Sequence, residues 1–523
     1  MTVIPLAVRH AGKKYDLEVD LDQTGEVLKF QLYSLTGVDP ERQKVLVKGG
    51  QLKDETVLNT LGLKPNQTLM MLGTAGELPK EPVAKMTFVE DLTDRELAQA
   101  TKTPIGLVNL GNTCYLNSSL QCLRTMPELE EDLSTLPPSG SSGGTLFGGS
   151  QPSDLAKRLR DLYRDMKNQT SALQPLVFLN TLRMVYPQFA EQGEHGRYKQ
   201  QDAEEAFTQI LSALNQSLTA AHPTSPSFVD SYMSGEFATT MTCAETDAEP
   251  PITGTEKFAK LACHITGETN FLSDGLQKSL EETIEKHSDV LGRDAAFTLK
   301  KRITRLPKYL VVHFMRFYWR RDTQKKSKIL RKVQFPFELD VTDLCEDELK
   351  TKLVGVRDKV RDLRKAREEK VRAAKRARTV LTDTTSSSTA GEEASVATPV
   401  SSELDAEIAR LEKEVEQAVD EELKRDKTAN STGLYELVGV ISHSGKSADS
   451  GHYQFWSKQE PVEGEEGGSG ALVVGATKQK EEPKWWRFND DKVTVVEQTK
   501  IETMMGGGES DSALILLYRS VGF

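Results

Sequence analysis

A chain of 523 residues with 37% hydrophobic content has ample apolar material for sizeable cores, and its length points to roughly three domains or one large one with appendages. Its formal net charge of −11 lacks the basic field that general nucleic-acid binding needs, and suits a partner with a basic surface or tail. Five scattered cysteines argue for a reducing compartment rather than a disulfide framework. No basic segment followed by a long apolar run opens the sequence, and no stretch approaches the ~18 apolar residues that span a bilayer; the expectation is a soluble cytoplasmic and nuclear protein with no membrane partner.

In chain order, residues 3–73 alternate as strands do in VIPLAV and YDLEVDL, and pass through a helical repeat from Gly25 to Tyr33. They return to strand patterns at Lys44-Val-Leu-Val and Thr68-Leu-Met-Met-Leu. Hairpin, helix and two further strands is the order of a β-grasp. Residues 78–103 mix Pro, Lys and acids without a period and read as a linker of about 25 residues. The next stretch, GLVNLGNTCYLNSSLQCL from Gly106 to Leu123, passes through a Gly-Asn-Thr turn into Leu116, Leu120 and Leu123 at helical spacing. Cys114 therefore opens a helix, where unpaired backbone N–H groups favour the thiolate; a small buried residue is the alternative reading. Residues 137–151 read as a Gly/Ser-rich loop, and 154–166, 178–185 and 202–214 as helices, the last carrying Asp202 and Glu205 one turn apart. Residues 237–243 and 258–265 read as strands.

Between 352 and 428 the composition changes. Residues 352–378 hold 12 Lys/Arg against 4 Asp/Glu, and residues 403–426 hold 10 acidic against 4 basic. Leu404, Ile408, Leu411, Val415, Val419 and Leu423 step by three or four, so the acidic half is an amphipathic helix that opposite charge would fold back on the basic one. A solvated hairpin, a nuclear-import signal near Lys375-Arg376 and a partner-binding arm are all compatible readings. Residues 318–333 and 442–451, rich in Lys/Arg and in Ser/Gly/Lys, read as mobile loops.

The Gly106–Leu123 stretch resembles the cysteine box of the ubiquitin-specific proteases, a family of papain-like deubiquitinases. Gly451-His452-Tyr453 with the later Trp485-Trp486-Arg487-Phe488-Asn489-Asp490-Asp491 is similar to that family's histidine box. Gln200-Gln201-Asp202 through Glu205 resembles its glutamine-aspartate box, and Leu306-Pro307 through Arg316-Phe317 its LPxxL…RF strand. Residues 3–73 resemble ubiquitin itself, with Leu46 and Leu72 at positions matching its exposed patch, and no Arg-Gly-Gly end follows Gly73. The resemblance implies an α+β chain: a ubiquitin-like β-grasp docking domain (1–77), a linker (78–103) and a fingers-palm-thumb catalytic domain (104–523) with a charged helical insertion (352–428).

It also implies roles. Cys114 would be the nucleophile, His452 the base, Asn489 the group that orients it, with Asp490 as the alternative, and Asn109 the oxyanion donor. Gln201, Asp202, Glu205 and Tyr453 would meet the substrate, and Leu46 and Leu72 would dock. Many members hold zinc in the fingers with paired cysteines, whereas Cys243, Cys263 and His264 are too few for four ligands, so no metal and no cofactor is expected. The arrangement resembles the proteasome-associated branch of the family, in which similar loops cover the tail channel until docking. The partners expected are therefore ubiquitin, ubiquitinated proteins and the 26S proteasome regulatory particle. A silent adaptor at the proteasome and a protease for another ubiquitin-like modifier are the competing readings.

Overall fold

Alternating burial along Val3–His10 sends Ile4, Leu6 and Val8 to one face of a five-stranded sheet. In the computed structural model, which describes residues 2–48, 50–73, 103–137, 151–193, 196–320, 325–384, 399–447, 450–460, 483–508 and 511–522, this sheet belongs to the first of two compact units, Met1–Asp91 and Leu92–Phe523. Its first strand pairs antiparallel with Lys13–Asp20 through a two-residue turn at Ala11 (φ 46°) and Gly12 (φ 81°), the twist-matched hairpin connection. It then pairs in parallel with Gln67–Leu72, which is flanked by Lys44–Val47. Helix Gly25–Thr36 lays Leu28 and Leu32 on the same core. This is a β-grasp. Val45 is fully buried while its neighbour Leu46 is 42% exposed and pairs with Met70 (51%) beside Leu72 (53%). The two sequence-picked docking residues thus share an apolar surface with Met70, which the reading missed. The linker lies outside the described residues except for residue 103.

The second unit is built on a large sheet in the order Lys492–Glu497, Lys484–Asn489, Ser450–Lys458, Leu434–Ser447, Ser512–Ser520, Tyr309–Phe314, Leu261–Cys263, with Glu338–Asp340 also paired to Leu434–Ser447. Both faces are covered, which is why the central strands are nearly continuous apolar runs. Tyr309, Val311, Ile515 and Leu517 face a set of helices, while Leu310, Val312, Leu516 and Tyr518 face a second core. The helices, Cys114–Arg124, Pro127–Ser134, Pro152–Lys167, Leu176–Val185 and Ala203–Ala221, form the thumb; the sheet is the palm. Glu128 joins them, accepting from Lys308 Nζ (2.6 Å) and Tyr309 Oη (2.7 Å). Among the described residues no helix is long and apolar enough to cross a membrane.

A separate four-stranded sheet, Ile252–Phe258, Gly235–Cys243, Arg293–Arg305 and Glu281–Ser288, makes the fingers. The strand expected over 258–265 is split: Phe258 ends a finger strand, and Leu261–Cys263 joins the palm, so Cys243 and Cys263 lie in different sheets. The insertion is an antiparallel pair of helices, Asp347–Thr384 and Pro399–Ala418. Lys352 meets Glu422, Arg367 meets Glu412 and Lys370 meets Asp405, a descending order that fixes the direction. It is more than a solvated decoration. Val356, Val360 and Leu363 pack with Val415 and Val419 onto Leu434 and Val521 of the palm, while Arg361 and Arg364 reach Glu338.

Candidate active site

Helix Cys114–Arg124 is buried on every side up to Leu123, an unusual burden for a segment with five polar residues. Its buried polar side chains donate to main-chain carbonyls. Asn117 donates to Leu107 O (3.1 Å), Gln121 to Ile105 O (2.8 Å) and Ser119 to Tyr115 O (2.8 Å), so the helix is fixed to the strand-like lead-in and to itself. Cys114, 2% exposed, is its first residue, at the positive end of the helix dipole. The helix packs on strand Ser450–Lys458, which carries His452. Gly451 precedes it at φ 120°, where a Cβ would lie 2.2 Å from Ser444 O; only glycine lets the two strands of that hairpin meet there.

His452 donates from Nε2 to Asn489 Oδ1 at 2.6 Å, which leaves Nδ1 for the sulfur. The hydrogen-bonding Cys114 sulfur is the largest influence on the imidazole. Against its partial burial, and with help from Asn489 and the Asp490 carboxylate, it raises the pKa to about 9. An imidazole hydrogen-bonded to a cysteine sulfur is the arrangement from which thiol proteases work. Asp490, the alternative orienting residue, stands 3.9 Å from Nε2 and is occupied otherwise. It accepts from Asn109 Nδ2 (3.0 Å) and Asn117 Nδ2 (2.8 Å), and its carbonyl accepts from Leu107 N (2.9 Å). Its left-handed backbone, φ 52°, makes this possible by turning the side chain of Asp490 away from the ring that Asn489 faces. Gly106 permits the approach, since a Cβ there would be 2.5 Å from Asp490 O.

Asn109 is held from both ends. Its Oδ1 accepts from Gly111 N (2.9 Å) and Thr113 N (3.2 Å), and one amide hydrogen goes to Asp490. Sequence reasoning missed Asn117, although a polar residue three positions after the nucleophile was the signal that this helix face would be tied down.

The substrate-side residues divide. Glu205 lies within electrostatic reach of Tyr115, next to the nucleophile, as does Arg183. Asp202 is not one helical turn before it on a common face: it is the N-cap, with extended φ and ψ, and accepts from Glu204 N at 2.9 Å. Gln201 donates to Gln188 O at 3.1 Å. Tyr453 is 1% exposed, its ring 4.6 Å from that of His443, because successive strand residues face opposite ways and His452 takes the side of the thiol. It is a core residue here, not a channel-lining one. The segments expected as loops are strands in part: Phe317–Arg320 pairs with Lys325–Lys328, and Leu434–Ser447 with Ser450–Lys458, while residues 329–333 belong to no strand. Among the other cysteines, burial raises the thiols of Cys122, Cys263 and Cys345, the latter two to about 12, which keeps them un-ionised.

The family model described as ubiquitin carboxyl-terminal hydrolase matches residues 105–518, and that of the ubiquitin family matches residues 6–76. The chain is 45% identical to ubiquitin carboxyl-terminal hydrolase 6 of Schizosaccharomyces pombe, covering 99% of each sequence. It is 37% identical to ubiquitin carboxyl-terminal hydrolase 7 of Arabidopsis thaliana, again over 99% of each. To ubiquitin carboxyl-terminal hydrolase 14 of Caenorhabditis elegans it is 32% identical, over 98% of this chain and 92% of that one. With a cysteine, a histidine and an asparagine brought together inside the matched region, the chain belongs to the ubiquitin carboxyl-terminal hydrolase family, as a cysteine deubiquitinase of the ubiquitin-specific protease type preceded by a ubiquitin-like domain.

Proposed function

We propose that this deubiquitinase trims ubiquitin from substrates at the proteasome, in cytoplasm and nucleus, using Cys114, His452 and Asn489. The observation that carries the chemistry is the 2.6 Å bond from His452 to Asn489 on a ring that also meets the Cys114 sulfur. Cys114 attacks the carbonyl carbon of the terminal glycine; the oxyanion takes an Asn109 amide hydrogen and the Cys114 N–H. The imidazolium gives its proton to the leaving lysine amine as the C–N bond breaks, leaving a thioester. His452 then takes a proton from water, which attacks the thioester and regenerates the thiolate. Asn489 orients the ring without adding a charge. Glu205 and Asp202 are assigned to the basic tail of ubiquitin, a reading supported by the electrostatic reach of Glu205 to Tyr115 beside the nucleophile.

Proteasome docking is supported by the exposed Leu46, Met70 and Leu72 of a ubiquitin-like domain whose chain continues past Gly73 without a cleavable end. A linker of about 25 residues supplies an effective concentration on the order of mM, so even a weak contact assists a second one made by the catalytic domain. Docking also acts on the segments 318–333 and 442–451 that border the site, raising the competent fraction and kcat in proportion. The test adds proteasomes whose own deubiquitinases are blocked, at saturating ubiquitin-fluorophore substrate. A rise in kcat for the full chain, with reduced proteasome binding and unchanged basal hydrolysis on deletion of residues 1–77, is the expected result. Equal binding by the deletion variant removes the docking role, and an unchanged kcat on demonstrated binding removes the switch.

A further inference from the structure

A second histidine lies one strand away from the base. His443 is fully buried and sits opposite Tyr453 in the pairing of Leu434–Ser447 with Ser450–Lys458, while its neighbour Ser444 sits opposite His452. Its ring fills the space between Phe317 (5.4 Å, edge-on) and Tyr453 (4.6 Å). A Cβ on Gly451 would come within 2.7 Å of its Nε2, so the main chain leading into His452 runs directly over the ring.

Lys328, 7% exposed, reaches the same ring from the hairpin Phe317–Lys328. Its Nζ donates to His443 O at 2.5 Å and stands 3.3 Å from His443 Nδ1. Lysine can only donate, so Nδ1 is the acceptor and the ring proton is on Nε2, facing the Ser450–Gly451 main chain. The Ser450 backbone acts on the ring, with no partner at full hydrogen-bonding distance of Nε2. The charged groups around Lys328 are Arg316 beside it on the hairpin and Asp511 at the start of Ser512–Ser520; His443 faces Lys328 and His452. Arg316 anchors the other foot of the hairpin, donating to the carbonyls of Ala513 (2.8 Å), Arg331 (2.9 Å) and Met505 (3.1 Å). Both feet are thus fixed.

We propose that Lys328 and His443 are positioning residues for the hydrolysis: Lys328 sets the tautomer of His443, and the His443 ring, packed against the Gly451 main chain with its Nε2–H turned toward the Ser450 backbone, supports that segment so that His452 meets both Cys114 and Asn489. The inference rests on His452 acting as the base. Neither residue touches substrate. Burial drives the His443 pKa down to about 3, with Lys328 adding to the effect, so the ring stays neutral throughout the working range.

The test uses the full chain and a ubiquitin-fluorophore substrate across pH, with Lys328→Met, which keeps the aliphatic stem, and His443→Phe, which keeps the ring packing. Each is expected to lower kcat at least tenfold with KM within twofold. Each should also move the alkaline limb of kcat to lower pH, as His452 is displaced from the Cys114 and Asn489 contacts that raise its pKa. The double variant should lose no more than either single one, because the pair acts as a unit. Lys328→Gln, which keeps an N–H donor, should hold the limb near its original place. A general loss of folding lowers activity at every pH without moving the limb, and ubiquitin binding in a Cys114→Ala background reports folding independently. Losses that add in the double variant, a limb that stays put in Lys328→Met, or a Lys328→Gln limb displaced as far as that of Lys328→Met would overturn the proposal. Hydrolysis surviving in His452→Ala would instead remove the base assignment, whatever the positioning pair does.

Discussion

The choice between Asn489 and Asp490 turns on one backbone angle. Asp490 at φ 52° sends its carboxylate to two asparagine amides, while Asn489, one residue earlier in an ordinary strand, faces the imidazole at 2.6 Å. Asn489→Ala is expected to reduce kcat about tenfold to hundredfold, the range for a hydrogen bond to a charged group. The Asn489 carbonyl helps hold the His452 pKa at about 9. Its removal lowers that pKa, so the imidazolium is lost at lower pH and the alkaline limb of the rate profile moves down. A profile that falls in height with its limb unmoved contradicts the orienting role. Asp490→Ala is a different lesion: the amides of Asn109 and Asn117 lose their acceptor, which costs about 1 to 3 kcal/mol in chemical denaturation. It also lowers kcat with little change in KM, since Asn109 is no longer aimed. An unaffected denaturation midpoint would show that the two amides find other partners. The meeting of Cys114 with His452 was legible in the sequence because the flanking boxes are long. The division of labour between adjacent Asn489 and Asp490 was not, because a left-handed residue is a tertiary fact unless glycine announces it. Tyr453 illustrates the same limit: adjacency to His452 says nothing about the face until the strand is known.

Among the elements, the insertion was readable as two helices because its apolar residues keep a period of three and four, and its direction followed from opposite charge. What periodicity could not give is the hold of Val356, Val360 and Leu363 on the palm through Leu434 and Val521. Packing should therefore matter more than the visible ion pairs. Leu363→Ala, at a site 1% exposed, should cost about 2 to 5 kcal/mol by denaturation. Arg367→Ala, which breaks a half-exposed pair with Glu412, should cost less than about 1 kcal/mol. Comparable losses in the two variants would mean that charge, not the apolar seam, holds the hairpin. Within the segments 318–333 and 442–451, read as loops, the strand pairing of Phe317–Arg320 with Lys325–Lys328 and of Leu434–Ser447 with Ser450–Lys458 escaped notice for a physical reason. Lysine, serine and glycine are poor strand formers, yet Arg316 and Lys328 are drawn inside by carbonyl acceptors, and Gly451 is required by close strand approach. In the fingers, Glu281–Ser288 escaped notice because its charged side chains lie outward on both faces.

At the scale of the whole molecule, two units carry separate tasks. The β-grasp was legible almost entirely, since alternation, a twist-matched turn and a capped helix agree locally; Met70 was missed because both it and buried Met71 satisfy the strand pattern. Replacing Leu46, Met70 and Leu72 by Asp should leave basal ubiquitin-fluorophore hydrolysis within about twofold while weakening proteasome binding more than tenfold, as expected when a few central apolar residues carry an interface. Unchanged binding would place docking elsewhere. The central claim is that Cys114 is the nucleophile that attacks the C-terminal glycine of ubiquitin. Reaction of the full chain with ubiquitin bearing a C-terminal electrophile, read by intact mass and peptide mapping, addresses nucleophile, channel and modifier together. One ubiquitin adduct on Cys114, absent in Cys114→Ala, is the predicted result. No adduct on a folded protein, or an adduct on Cys122 or any other cysteine, would contradict it.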